Sequence, residues 1–159
     1  MSKESAVPHI PREEWERHPN YPSQVLLLGS HRNFRQISAA LVDAARTGEP
    51  PGEMFFLYAR WIAAMRGHEA YEERKLYPYL SARWGVSFEA SEAGHAELHD
   101  AHELVLAAFD SGIALAEALE KHDAVLREHL DVEEQQVIPL LLALSAREFN
   151  DYYHARVAS

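Results

Sequence analysis

Two segments of this chain carry the same chemistry at the same spacing. One runs from His68 through Glu72 to Pro78 and Leu80, the other from His129 through Glu133 to Pro139 and Leu141. In each, a histidine is followed four residues later by a glutamate and six residues after that by a proline. Positions i and i+4 of an α-helix lie one turn apart on one face. Each segment therefore sets an imidazole beside a carboxylate, a pair suited to a transition metal. A single His-x-x-x-Glu arises by chance; two in matching context, with more histidines between them, point to a metal site shared by several helices. The chain has ten histidines, where ordinary usage gives about three. It has no cysteine, so any metal is held by nitrogen and oxygen.

The elements that must position these residues are helices. Residues 1–22 hold four prolines (Pro8, Pro11, Pro19, Pro22), which preclude a continuous helix. They read as an extended arm, with a short turn near Glu13 to Arg17 and with Trp15 and Tyr21 as anchors. Ser23 is a good N-cap for a first helix over about 24–46, and Thr47-Gly-Glu-Pro-Pro-Gly52 breaks it. A second helix is predicted over 53–83, kinked by Pro78, and a third from about 88–91 to Phe109. A fourth runs from Ile113 to Leu144, bent near Pro139, and residues 146–158 could form a short fifth. No segment alternates like a strand. The expectation is an all-α, up-down-up-down four-helix bundle over 23–145, preceded by the arm and followed by a tail or short helix over 146–159.

The repeat extends to whole hairpins. His31 precedes His68 by 37 residues and His95 precedes His129 by 34, so antiparallel packing brings the histidines to a similar height. The predicted ligands are His31, His68, Glu72, His95, His99, His129 and Glu133. One ion would take His95, His99 and His129, the other His31 and His68, with Glu72 and Glu133 bridging. The three-against-two split leaves one ion an open position. His102, about 10 Å along the helix from His95, is either a neighbour of the ligands or the alternative partner of His99. A lone histidine facing a core is usually a hydrogen-bonded packing residue. Seven ionisable groups on one apolar level are different, because each is costly to bury without a counter-ion.

The remaining residues take plainer roles. Glu73 and Glu134 face away from their own histidines and read as solvated surface. His9, His18 and His154 default to the surface, and His122 to the core. Gly67 could permit close helix approach. Leu27, Phe34, Trp61, Met65, Leu98, Val125 and Leu126 should line the core around the site, as ordinary packing first and as a dry pocket for a diatomic ligand second. No tyrosine is obviously placed to deliver protons, Tyr71 beside Glu72 being the nearest.

The pattern His31, His68-x-x-x-Glu72, His95-x-x-x-His99, His129-x-x-x-Glu133 resembles the hemerythrin-like (HHE cation-binding) family over about residues 24–145. That resemblance implies a four-helix bundle holding two iron ions, oxo- or hydroxo-bridged when oxidised. Oxygen-carrying members commonly close with His-x-x-x-x-Asp, whereas His129 is followed by Glu133 in the shorter form.

The expected function is therefore a di-iron protein that binds O2, peroxide or nitric oxide at an open iron position. Alternatives are an enzyme of peroxide or nitrosative stress, and an iron-dependent sensor read by a partner protein. Ferritin-like oxidases need two Glu-x-x-His motifs, and only Glu92 to His95 has that spacing. A net charge of −10, with dispersed basic residues, argues against nucleic acid. No apolar run is long enough for a membrane span, and no secretory signal is present, so a cytoplasmic location is expected.

Overall fold

The computed structural model describes residues 6–21 and 25–157, and the side chains of all of these except 25, 26 and 154–157. The Ser23 cap and the His154 side chain lie outside that description. Among the described residues every regular element is helical. A 3₁₀ turn, Arg12–Arg17, is followed by α1 (Val25–Arg46) and α2 (Pro51–Tyr71). A π turn, Glu72–Leu76, joins α2 to α3 (Tyr77–Trp84). Then come α4 (Glu89–Ser111), α5 (Leu115–Leu142) and α6 (Ala146–Val157). Here α1 packs on α2 and α5, and α4 packs on the same two helices. No helix is long and apolar enough to cross a membrane.

The two prolines of the repeat behave differently. A proline inside a helix lacks an N–H and collides with the carbonyl four residues back. Before Pro78 the chain relieves this by a π turn, in which the Tyr77 N–H bonds back to Glu72 O. The expected kink is thus a slip of register. Pro139 is carried inside α5 without such a turn. Gly85 ends α3 in the left-handed conformation (φ 68°), which a side chain would oppose.

Two apolar clusters occupy the interior. One gathers Phe34, Leu41, Tyr58, Trp61, Met65, Leu98, Leu126 and Leu130 among others. The other gathers Leu76, Tyr77, Leu80, Phe88, Val137, Leu140 and Tyr152. On the α2–α3 segment the first ends at Met65 and the second begins at Leu76; on α5 they meet between Leu130 and Val137. His68 and Glu72 fall in that gap on one side, and His129 and Glu133 lie at its edge and inside it on the other.

The N-terminal arm is anchored. Trp15 is buried with Ile138 and Leu142, and Tyr21 packs against them. Trp15 Nε1 donates to Ile10 O at 2.8 Å. Asn20 Nδ2 lies 2.9 Å from both Leu142 O and Leu144 O, supplying a donor to carbonyls that a helix end leaves free.

His122, on α5, is 1% exposed, and neither ring nitrogen has a hydrogen-bond partner among the described residues. Burial, then the neighbouring His102, push its imidazole down to about 4 from the ordinary 6.5. The unfolded chain takes up this proton at the higher pH, so His122 costs stability as pH falls from about 6.5 to about 4 and adds no further loss below that. Metal-free His122→Leu should accordingly lose less stability over that interval, by up to about 3 kcal/mol. Urea unfolding at both pH values checks this; identical losses in variant and parent would refute it.

Candidate metal centre

In the gap between the apolar clusters, four imidazoles turn their Nε2 atoms toward two carboxylates. His31 Nε2 lies 3.1 Å from His68 Nε2 and 3.4 Å from Glu133 Oε1. His68 Nε2 is 3.3 Å from Glu72 Oε1, and His129 Nε2 is 3.4 Å from Glu133 Oε2. His95 Nε2 lies 3.8 Å from both Glu72 Oε1 and Glu133 Oε2. Two groups with metal-holding proximity result: His31, His68, Glu72 and Glu133, and His95, His129 and Glu133. Glu133 belongs to both. All six residues are buried except His68, whose side chain is 15% exposed.

The donor set fits a transition metal. His95 Nε2 and Glu133 Oε1 are buried without a hydrogen-bond partner among the described residues, an arrangement that a folded interior tolerates only for a reason. Two unprotonated Nε2 atoms at 3.1 Å cannot bond each other, whereas a cation between them satisfies both. The cation-free electrostatics are correspondingly frustrated. Burial, then the charge of His31, push the His68 imidazole down to about 4. Burial would lower His31 too, but its close contacts with Glu133 and Glu134 and their charge raise it. Burial and contact with Glu133 push Glu72 well up. Burial would likewise raise Glu133, yet its close contacts with Glu72, His129 and His31 hold it down. The carboxylate pair thus favours a proton on Glu72, where a cation would relieve the repulsion.

The expected seven residues are not all brought together. His99 stands on α4 one turn beyond His95, but its side chain is 53% exposed and its Nε2 bonds Glu69 Oε2 at 2.8 Å. The inward stripe of α4 is Ser91, His95, Leu98, His102 and Val105, and position 99 falls at its edge. The imidazoles therefore gather two and two, correcting the expected three against two. His102 turns to Tyr58, 2.6 Å away, and is in neither group.

Glu134 is corrected as well, being buried, while Glu73 is exposed as expected yet reaches the cluster. Glu134 is 2% exposed and contacts His31 Nδ1 at 3.2 Å. Glu73 contacts His95 Nδ1 at 2.8 Å. Each faces away from its own histidine, as expected, and reaches the early histidine of the other hairpin. An Nδ1–H held by a carboxylate fixes the tautomer with Nε2 free for a metal. Glu134 is itself gripped by Arg35 at 2.8 and 2.9 Å and touched by Arg12 at 3.3 Å. Burial would raise its carboxyl, but His31 and Arg35 bring it down to about 2. The Glu-Glu doublets at 72–73 and 133–134 carried this signal in the sequence.

Tyr77 supplies the phenol that the sequence did not place. Its hydroxyl donates to Glu133 Oε2 at 2.5 Å and lies 3.3 Å from Glu72 Oε2. The π turn sets that direction, and the ring is held by stacking on Phe88 (centroids 4.6 Å apart, 5° between planes). Burial, then the charges of Glu133 and Glu72, push the phenol strongly upward, so it keeps its proton. Tyr71, beside Glu72 in the sequence, packs against the second apolar cluster.

A cavity with about 10 Å³ open to a water-sized molecule adjoins the cluster, lined by Phe34, Met65, His68, Glu69, Glu72, Leu98, Leu126, His129 and Leu130. Of the expected lining residues, Phe34, Met65, Leu98 and Leu126 are there. Trp61 packs with them in the first apolar cluster. Leu27 instead packs with the other clusters.

Glycine matters at 94, not at 67. A Cβ at Gly94 would lie 3.1 Å from His129 Cγ and closer still to Nδ1, while one at Gly67 would meet nothing within 4 Å. Gly94→Ala should displace the His129 ring and at least halve bound metal per chain, measured by elemental analysis; Gly67→Ala should not. Equal metal in both would show that His129 needs no such seat. Glu134→Gln should weaken metal binding by about 10- to 100-fold in a competitive chelator titration; an unchanged affinity would remove it from the site.

No curated protein and no solved structure matches the chain. A family model does: the hemerythrin HHE cation binding domain matches residues 24–141. That span starts just before α1 and ends within the last turn of α5, enclosing every residue of the His/Glu cluster. The chain belongs to the hemerythrin HHE cation-binding domain family.

Proposed function

We propose that this protein holds a pair of iron ions and binds O2, nitric oxide or peroxide beside them, its four long helices forming an up-down-up-down bundle. The observation that carries the reading is the sharing of Glu133 by two imidazole groups. A carboxylate common to two donor sets is what a pair of nearby cations requires, since it offsets their repulsion. His31, His68 and Glu72 would hold one ion, and His95 and His129 the other, with Glu133 between. An iron pair in this setting would supply electrons to a small oxygen or nitrogen ligand.

The chain's own residues define what that ligand meets. Phe34, Met65, Leu98, Leu126 and Leu130 give the adjoining cavity an apolar wall, and its size suits a diatomic. His31 and His95 are oriented by Glu134 and Glu73. Neutral imidazoles outnumber carboxylates four to two in the cluster. This keeps the donor set moderate in charge and favours reversible binding over oxidation of substrates.

A second reading, turnover of peroxide, draws on Tyr77. A phenol hydrogen-bonded to both carboxylates holds a proton beside the centre, as acid catalysis of O–O cleavage would use.

The deciding experiment is aerobic purification, iron quantification, and visible spectra before and after anaerobic reduction and O2 readdition. About two irons per chain and a stable complex on readdition support the binder. Direct return to the oxidised form with peroxide consumed supports the enzyme, and absence of iron refutes both. Within the same assay His129→Ala should lose the paired metal while His99→Ala keeps it. Loss in both would return His99 to the ligand set.

A further inference from the structure

Toward the N-terminal end of α2 a second polar group lies inside the first apolar cluster, outside the metal groups. Tyr58 is fully buried, and its hydroxyl donates to His102 Nδ1 at 2.6 Å. The two rings are close to parallel (23°), with centroids 5.6 Å apart. Trp61 stands 5.9 Å from Tyr58 and 5.3 Å from His122. Trp61 Nε1 and both nitrogens of His122 are buried without a partner among the described residues. A small cavity bounded by His99, His102 and His122 shares Met65, Glu69 and Leu98 with the pocket beside the candidate centre.

A core phenol needs one acceptor, and His102 provides it; packing alone asks for nothing more. It does not account for an indole and a second imidazole buried unpaired around the same phenol, where apolar side chains would fill the space at lower cost. What these groups share is low ionisation energy and placement. Tyr58, Trp61, Met65 and His68 follow one another along one face of α2. Tyr58 is about 15 Å along the helix from His68, and Trp61 and Met65 divide that span into short steps.

We propose that Tyr58 and His102 form a redox-active pair, fed by the candidate metal centre through Met65 and Trp61. This rests on the second reading of that centre, as an iron site that turns over peroxide. The oxidant is a one-electron oxidant formed there from hydrogen peroxide. One electron passes from Tyr58 to that oxidant, which is reduced by it. The phenolic O–H bond breaks, its proton forms a new N–H bond at His102 Nδ1, and a neutral phenoxyl radical beside an imidazolium results. Proton and electron leave the phenol by different routes, so no phenol radical cation has to exist in the apolar core. Two further features suit this. Burial pushes Tyr58 upward, so it holds its proton until oxidised. Burial, then the charge of Arg66, lower His102, leaving it neutral and able to accept.

The test begins with iron content and visible spectra of the parent, Tyr58→Phe and His102→Leu. The reduced, iron-loaded proteins are then mixed with hydrogen peroxide, freeze-quenched and read by electron paramagnetic resonance. A tyrosyl signal is expected in the parent, at background in Tyr58→Phe with iron content unchanged. In His102→Leu the signal should fall, or show at high field the g-shift of a phenoxyl without a hydrogen bond. An iron-loaded parent that gives no radical, or the same radical in Tyr58→Phe, overturns the pair while leaving the centre intact. If the protein takes up no iron, the reading of the centre fails separately. The pair is then judged in metal-free protein with photogenerated tris(bipyridine)ruthenium(III). Phenoxyl absorbance that depends on Tyr58 and slows in His102→Leu supports it, and indifference to both substitutions overturns it.

Discussion

Everything in the interior is arranged around one costly act, the burial of Glu72 and Glu133 in the same layer as four imidazoles. Two carboxylates on one apolar level repel, and removing either from water is unfavourable. Without a cation the chain offsets this only in part. Glu72 is pushed up toward its neutral form, Glu133 leans on His31 and His129, and Tyr77 donates to Glu133 while lying beside Glu72. Glu133 Oε1 and His95 Nε2 still lack partners among the described residues. The layer is thus built to a specification that protons and side chains do not complete. A cation shared between the two groups meets it, which is why metal and fold should be coupled here.

The apolar clusters on either side give that layer its rigidity, and the outer carboxylates give it direction. Glu134 of the second hairpin steadies His31 of the first, and Glu73 of the first steadies His95 of the second. The crossing ties the hairpins together at the height where the cluster forms. The two ends of the exchange differ. Glu134 is buried and clamped by Arg35, whereas Glu73 is 47% exposed. The N-terminal arm joins the buried end, through Arg12 on Asp131 and Glu134 and through Trp15 beneath it. The proline-rich arm, in which Trp15 and Tyr21 were expected as anchors, therefore closes the shell around one half of the centre.

The sequence repeat is also broken once, in the backbone. Pro78 and Pro139 occupy matching places, yet only Pro78 follows a π turn. The extra residue in that turn re-aims Tyr77 at the carboxylates, and π turns of this kind gather at functional sites. The second repeat has Ile138, a buried packing residue, at the position matching Tyr77. One phenol, placed from one side, makes a symmetric sequence pattern into an asymmetric site.

Helical period and residue type were enough to read the all-α class, the doubled His-x-x-x-Glu faces of α2 and α5, and His31 and His95 as their repeat-mates. These depend on spacing within one helix, which 3.6 residues per turn fixes before any packing occurs. His99 escaped because i, i+4 spacing allows two imidazoles to share a face without deciding which edge of it meets the core. Helix rotation decides that, and the neighbouring helices set it. Glu73 and Glu134 escaped because their partners lie on the other hairpin, 22 and 103 residues away along the chain. Gly94 escaped because its role is an absence, the room left for His129. Local chemistry was written along the chain, while the pairings across helices, the register slip before Pro78 and the seat of each ring were decided only when the helices packed.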